Sequence, residues 1–366
     1  MGLSRRAFFL SAAAVPVVHE GLLAALATGP VPETAPQPVV RISSNENPYG
    51  PCQLARDAIT RCAPRACRYP YEAMADMAAR LAKLHDVPRE MIVLGNGSSE
   101  ILNMVAAAFL SPQKSLVTSE PTYEALWDYA GRLGAPSKKV PVVGQDLRHD
   151  VAKMALAGAG LIYVCNPNNP TASLTPKADV ASLVAKLPSG AVLLVDEAYC
   201  HFSESPQFES ALPYVMAGKD VVVTRTFSKI YGLAGARIGY AVARKDLAAR
   251  LHHQALHNNM NGPGLEAALA SLEDTELVAR NRARNAAARR LLTDWCDRNH
   301  RRYAPTHTNF VFFHLGRRVE PVIVALGARG LLVGRPFPPF TDWMRVSVGT
   351  EEEMRRFLRE YENLKT

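Results

Sequence analysis

Three apolar runs constrain this chain most: Leu161-Ile162-Tyr163-Val164-Cys165, Val192-Leu193-Leu194-Val195 and Val221-Val222-Val223. Runs of this kind, rich in β-branched residues, read as strands buried on both faces of a parallel sheet. Each gives way abruptly to polar residues. The first ends in Asn166-Pro167-Asn168-Asn169-Pro170-Thr171, the second in Asp196-Glu197-Ala198-Tyr199, the third in Thr226-Phe227-Ser228-Lys229. A shorter strand, Met91 to Leu94, leads through Gly95-Asn96-Gly97-Ser98-Ser99-Glu100 into Ile101, Val105, Ala108 and Phe109 at helical spacing. In an open α/β sheet, ligands collect where the strands end. These four polar segments are therefore expected to converge on one site.

The chemistry at that site can be read from residue types. A lysine at a buried strand end is poorly solvated, which disfavours its ammonium form and makes the amine of Lys229 a candidate nucleophile. Thr226 and Ser228 offer hydroxyls and Arg237 a planar guanidinium, a set suited to a phosphate dianion. The glycine turn before Ser98 and Ser99 presents the unpartnered amides of a helix start, a second anion cradle. No Gly-Lys-Ser/Thr follows, so this is not a nucleotide-phosphate loop, and the third glycine of a dinucleotide fingerprint is missing. A nucleophilic amine beside a phosphate cradle points to a phosphorylated aldehyde held as a Schiff base, pyridoxal 5'-phosphate. Asp196 fits the same reading. A carboxylate at the end of an apolar strand is costly unless paired, and a pyridinium nitrogen would be its partner.

The segment Thr226-Phe227-Ser228-Lys229-Ile230-Tyr231-Gly232-Leu233-Ala234-Gly235-Ala236-Arg237-Ile238-Gly239-Tyr240 resembles the Schiff-base segment of the fold type I aminotransferases, most closely the histidinol-phosphate aminotransferase branch. The similarity runs from about Arg41 to the C-terminus, with several motifs in the family's order. It implies that Lys229 carries the cofactor, with Asp196 at the ring nitrogen. Asn169 and Tyr199 would meet the phenolic oxygen, and Tyr123 would stack on the ring. The phosphate would fall to Ser98, Ser99, Thr226, Ser228 and Arg237. Tyr69, in Arg68-Tyr69-Pro70, matches a tyrosine that reaches the neighbouring subunit's cofactor phosphate, which implies a homodimer. Asn47, in Asn45-Glu46-Asn47-Pro48-Tyr49-Gly50-Pro51, lies in a segment that covers the active site near the substrate. Arg345, in Trp343-Met344-Arg345-Val346-Ser347-Val348-Gly349, inherits the grip on the substrate's anionic end. Two departures stand out. Ala172 replaces the usual glycine after Thr171. Around Arg335, the candidate second phosphate-binding arginine, the spacing and proline content depart from the family pattern.

The implied fold is α/β: a fold type I transferase with a large domain around a mostly parallel seven-stranded sheet, plus a small α/β lobe built from both chain ends. The expected boundaries are a signal peptide over 1–27, a linker over 28–40, the N-terminal part of the small lobe over 41–66, the large cofactor-binding domain over 67–250 and the C-terminal small domain over 251–366. The implied activity is amino transfer from a small-molecule amino donor, histidinol phosphate or a related amine or amino acid, to a 2-oxo acid, expected to be 2-oxoglutarate. The alternatives are an aromatic amino acid aminotransferase, a decarboxylase of the threonine-phosphate type, or a catalytically idle binding protein. The intact set of Asp196, Tyr199, Lys229 and Arg237 argues against the last.

Length and charge add bounds. At 366 residues the chain can hold two domains, and its net charge of +8 is modest for that size. Much of the charge lies in Arg280, Arg282, Arg284, Arg289, Arg290, Arg298, Arg301 and Arg302, in an alanine- and leucine-rich helical stretch with few aromatics. That composition argues for a solvated helix face and against a nucleic-acid surface. The six cysteines have no C-x-x-C spacing, so zinc is not expected; most read as buried thiols, and Cys62 and Cys67 are the two closest in sequence. At the N-terminus, Arg5-Arg6 precedes an apolar stretch and Ala25-Leu26-Ala27, the pattern of a twin-arginine signal and its cleavage site. This predicts a periplasmic or secreted protein, with a cytoplasmic one as the alternative. The apolar stretch is short and interrupted by Pro16, His19 and Glu20, so no stable membrane anchor is expected.

Overall fold

The computed structural model describes residues 38–156 and 159–364; the expected signal peptide and the linker up to residue 37 lie outside the described residues. The strands are β1 Val40–Ile42, β2 Ile92–Gly95, β3 Ser115–Glu120, β4 Ser137–Pro141, β5 Ala159–Cys165, β6 Val192–Asp196, β7 Val221–Thr226, β8 Gly239–Ala243, β9 Phe310–His314, β10 Leu331–Val333 and β11 Trp343–Ser347. Seven of them form one sheet in the order β2-β8-β7-β6-β5-β3-β4. Only β8 runs against its neighbours β2 and β7. The remaining pairs, β3 with β4 and β5, β5 with β6, and β6 with β7, are parallel.

The apolar runs are continuous because the sheet is covered on both faces. Ile162, Val164, Leu193, Val195, Val221 and Val223 enter one hydrophobic layer. Their alternates Leu161, Tyr163, Val192, Leu194 and Val222 enter the opposite one. Side chains of period two thus divide between two cores, so neither face can afford polar residues. The parallel direction also brings the ends of β5, β6 and β7 to one edge. Cys165 pairs with Asp196, and Asp196 with Thr224.

A smaller unit joins both ends of the described chain. β1 pairs in parallel with β10, and β9 pairs antiparallel with β11. Helices Leu277–Arg298, Val319–Gly327 and Glu351–Glu362 share with these strands a core of Leu292, Trp295, Phe313, Leu326, Met344 and Phe357. The last helix is opened by a capping box: Thr350 Oγ1 accepts from Glu353 N, and the Glu353 carboxylate accepts from Thr350 N.

The arginine-rich helix keeps Arg284, Arg290 and Arg298 exposed, as its composition predicts, while other arginines on it find partners. Arg280 pairs with Asp274 at 2.6 Å, Arg282 donates to the His201 carbonyl, and Arg289 donates to the Thr308 carbonyl. These guanidiniums brace loops that composition cannot locate. Among the described residues all six cysteines are free thiols, four of them buried.

Candidate active site

The site is assembled from the polar ends of the buried strands. Leaving β7, the chain turns through Ser228, whose amide donates to Thr226 Oγ1 at 3.0 Å, and this presents Lys229 at the sheet edge. Gly232 is left-handed (φ 70°), and a Cβ there would lie 2.2 Å from the Gly50 carbonyl oxygen, so the N-terminal loop can press against this turn. That loop supplies the Ser44 carbonyl, 3.5 Å from Lys229 Nζ. Burial, followed by the nearby Arg345 and Arg237 guanidiniums, lowers the Lys229 pKa to about 8, with Glu46 and Asp196 opposing. The amine therefore loses its proton nearer to neutrality than a solvated lysine does.

Asp196 ends β6 and is 3% exposed. Its Oδ1 accepts from the Ala198 amide and its Oδ2 from the Tyr163 hydroxyl, each at 3.1 Å. Burial nevertheless raises its pKa to about 6. Tyr199, three residues on, accepts from Asn45 Nδ2 at 3.1 Å and meets Phe310 edge-on. Burial pushes its phenol well above the ordinary range.

The anion cradle comes from the β2 turn and from Arg237. Helix Ser98–Phe109 starts at Gly97, whose φ is 77°. A Cβ on Gly97 would fall 2.1 Å from Arg237 Nη2, and one on Gly239 would fall 2.3 Å from the Ser98 amide nitrogen. Two glycines therefore permit close approach of a guanidinium and a helix N-terminus. Arg237 donates to Ser228 Oγ at 3.4 Å and to the Ala234 carbonyl at 3.0 Å.

At the other end, Arg345 Nη1 donates to Asn169 Oδ1 at 2.7 Å, which leaves the Asn169 amide NH2 as the donor toward the cavity. The loop of Asn169 is tied to that of Tyr123 through Asn168, which accepts from Thr122 Oγ1 at 2.8 Å and donates to the Pro121 carbonyl. Arg335 is ion-paired with Glu124.

The resulting cavity of about 280 Å³ is lined by Ser98, Ser99, Tyr123, Asn169, Asp196, Tyr199, Thr226, Ser228, Lys229, Arg237, Arg335 and Arg345. Two expected residues lie elsewhere. Asn47 donates to the Ile230 carbonyl and accepts from the Tyr49 amide, so its side chain supports the turn after Lys229, while Ser44, Asn45 and Glu46 line the cavity. Tyr69 is 64% exposed and stands against Tyr71, away from its own chain's cavity. Sequence reasoning missed Asn45, Tyr163 and Phe337. Tyr163 carried a signal: a phenol within an apolar strand run needs a buried partner, and Asp196 is that partner.

The cavity fits pyridoxal phosphate on its own terms. It joins a helix-terminus anion cradle, an amine of lowered pKa and a buried carboxylate whose two known donors are neutral, so that a ring N–H would complete it.

Residues 37–360 match the family described as aminotransferase class I and II. A histidinol-phosphate aminotransferase of Symbiobacterium thermophilum is 37% identical over 324 residues, covering 87% of this chain and 89% of that protein. The structure of histidinol-phosphate aminotransferase from Sinorhizobium meliloti in complex with pyridoxal-5'-phosphate superposes with a TM-score of 0.81 at 25% identity, covering 88% of this chain and 89% of that one. The L-threonine-O-3-phosphate decarboxylase of Porphyromonas gingivalis also superposes, with a TM-score of 0.77 at 19% identity over 88% of this chain and 98% of that one. The last likeness is one of fold alone.

Proposed function

We propose, from the premise that this chain belongs to the class I and II aminotransferase family, that it moves an amino group from histidinol phosphate or a closely related amine to 2-oxoglutarate. When bound, pyridoxal phosphate supplies a conjugated ring that takes up the electron pair of the substrate's breaking α-C–H bond. Lys229 Nζ would hold the cofactor and then carry the proton to and from the substrate α-carbon; its lowered pKa suits both directions. Asp196 would keep a proton on the ring nitrogen. Tyr199 and the Asn169 amide would donate to the phenolic oxygen. Ser98, Ser99, Thr226, Ser228 and Arg237 would fix the phosphate, and Tyr123 would lie against the ring.

The observation that carries the choice of donor is the pair of guanidiniums at the far end of the cavity. The Arg335 and Arg345 carbons lie 4.4 and 4.6 Å from the centre of the Phe337 ring, and both residues line the cavity. Two such forks suit a phosphate tail or a carboxylate. The same aromatic floor favours a second reading, an aromatic amino acid as donor. A donor panel tests both. Turnover of histidinol phosphate with 2-oxoglutarate, without carbon dioxide release, supports the first reading. Turnover of aromatic amino acids alone supports the second, and carbon dioxide release overturns both.

The enzyme acts as a homodimer in this reading, with the exposed Tyr69 reaching the neighbouring subunit's site. The Arg5-Arg6 segment directs it out of the cytoplasm by the twin-arginine route, which carries folded, cofactor-loaded proteins.

A further inference from the structure

Arg335 enters the cavity already engaged. Its Nη2 donates to a Glu124 carboxylate oxygen, and its Nη1 donates to the Pro336 carbonyl. Both side chains of the pair are largely sequestered, at 18% and 25% exposure. Glu124 follows Tyr123 in the loop after β3, whereas Arg335 lies in the segment between β10 and β11. The pair thus bridges the large sheet and the smaller unit beside the cavity that Arg335 lines. Next to it is the flat face of Phe337, itself 3% exposed, with the Arg345 guanidinium 4.6 Å from its centre.

The energetics of these neighbours differ by substrate. An uncharged aromatic tail lying on Phe337, with no anion at this place, would leave the partly buried Arg335 guanidinium without a counter-charge unless the Glu124 carboxylate stays on it. A phosphate tail is different, because to use Arg335 Nη2 it competes with Glu124 for that donor. The apparent affinity for such a tail falls by the fraction of time that Arg335 is free. A neutral tail bears no such penalty. Glu124 therefore discriminates among donors without touching the reacting atoms.

We propose that Glu124 is a specificity-determining residue that makes Arg335 a conditional anion contact, neutralised for uncharged donor tails and released for phosphate-bearing ones. This rests on reading the cavity as an aminotransferase substrate site. It adds a penalty against phosphate that is built into the chain, and with it a capacity to accept both tail types.

The experiment uses the cofactor-loaded enzyme, in which the cofactor's own phosphate cradle is filled, with inorganic phosphate as the calorimetric probe. Glu124→Gln keeps the shape and removes the charge. It should tighten inorganic phosphate about tenfold. It should also shift the kcat/KM ratio of histidinol phosphate over an aromatic amino acid by a similar factor toward phosphate. In an Arg335→Ala background the same substitution should change neither quantity. An intact cofactor absorption band certifies the fold of each variant. Unchanged or weakened phosphate binding in Glu124→Gln overturns the proposal, as does an effect that persists without Arg335. If the wild-type enzyme turns over no phosphate-bearing donor while its phosphate binding still responds to Glu124→Gln, the donor assignment fails and the role of Glu124 stands.

Discussion

At the scale of single residues, the fold moves the two titratable groups proposed to carry the chemistry toward neutrality from opposite sides. Lys229 is lowered to about 8 from 10.5 by burial and flanking guanidiniums. The unfolded chain therefore binds more protons at this position between those values, so this group makes the cofactor-free protein more stable as pH rises from about 8 to 10.5. Lys229→Met should remove that slope, which the difference between two urea-melting series across this range will show. With the cofactor bound, borohydride should fix it to the peptide containing Lys229; labelling of another lysine would end the assignment. Asp196 is the complementary case, a carboxyl raised to about 6 by burial. A pyridinium partner favours its ionised form, whereas an amide cannot keep the ring nitrogen protonated. Asp196→Asn should lower turnover by roughly three orders of magnitude or more, by analogy with the loss of a preorganised electrostatic group. Near-normal rates in a folded variant would show that another group supplies the charge.

At the scale of elements, turns and strand ends hold the site. The start of helix Ser98–Phe109 has the shape of an anion cradle because Gly97 and Gly239 leave room for Arg237 and the Ser98 amide. Gly97→Ala combines a left-handed backbone with a methyl inside the Arg237 guanidinium. It should weaken cofactor binding at least about tenfold, or ~1.4 kcal/mol, in a fluorescence titration, while circular dichroism stays unchanged. Equal affinity would mean that the guanidinium has room to shift. The residue after β6 is also joined to β7 by a largely buried ion pair, Arg225 to Glu197 at 2.7 Å, with Glu197 also accepting from Ser210 Oγ and the Ala211 amide. Arg225→Met leaves that carboxylate buried without its cation. A loss of about 3–5 kcal/mol is expected, seen as a large drop in the urea midpoint.

At the scale of the whole molecule, the substrate end of the cavity is made by two units meeting. Arg345 from β11 reaches Asn169 after β5, and Arg335 reaches Glu124. The N-terminal segment belongs to this scale as well. With Arg5 and Arg6 replaced by lysines, cell fractionation should find the enzyme retained in the cytoplasm with its leader uncleaved. Unchanged distribution would leave the segment as a plain extension.

The sequence by itself determined the sheet and the reactive groups. Buried parallel strands must be apolar on both faces, so their ends are visible wherever polarity returns, and Lys229, Asp196, Asn169 and the Gly97-Ser98 turn all sit at such ends. The candidate chemistry of Lys229, Asp196 and the Gly97-Ser98 turn follows from residue type and burial, which local pattern conveys, whereas that of Asn169 rests on the family resemblance. Tertiary structure alone decided which polar groups meet across long separations. Asn45 finds Tyr199, Asn47 turns to Ile230 and away from the cavity, and Glu124 meets Arg335 from 211 positions away. None of these pairings leaves a periodicity or a spacing in the chain, because each partner lies on a loop whose direction is set by the packing of other elements. The cavity residues at the strand ends were legible for that reason, and the partners that Tyr199, Asn47 and Arg335 find across the fold were not.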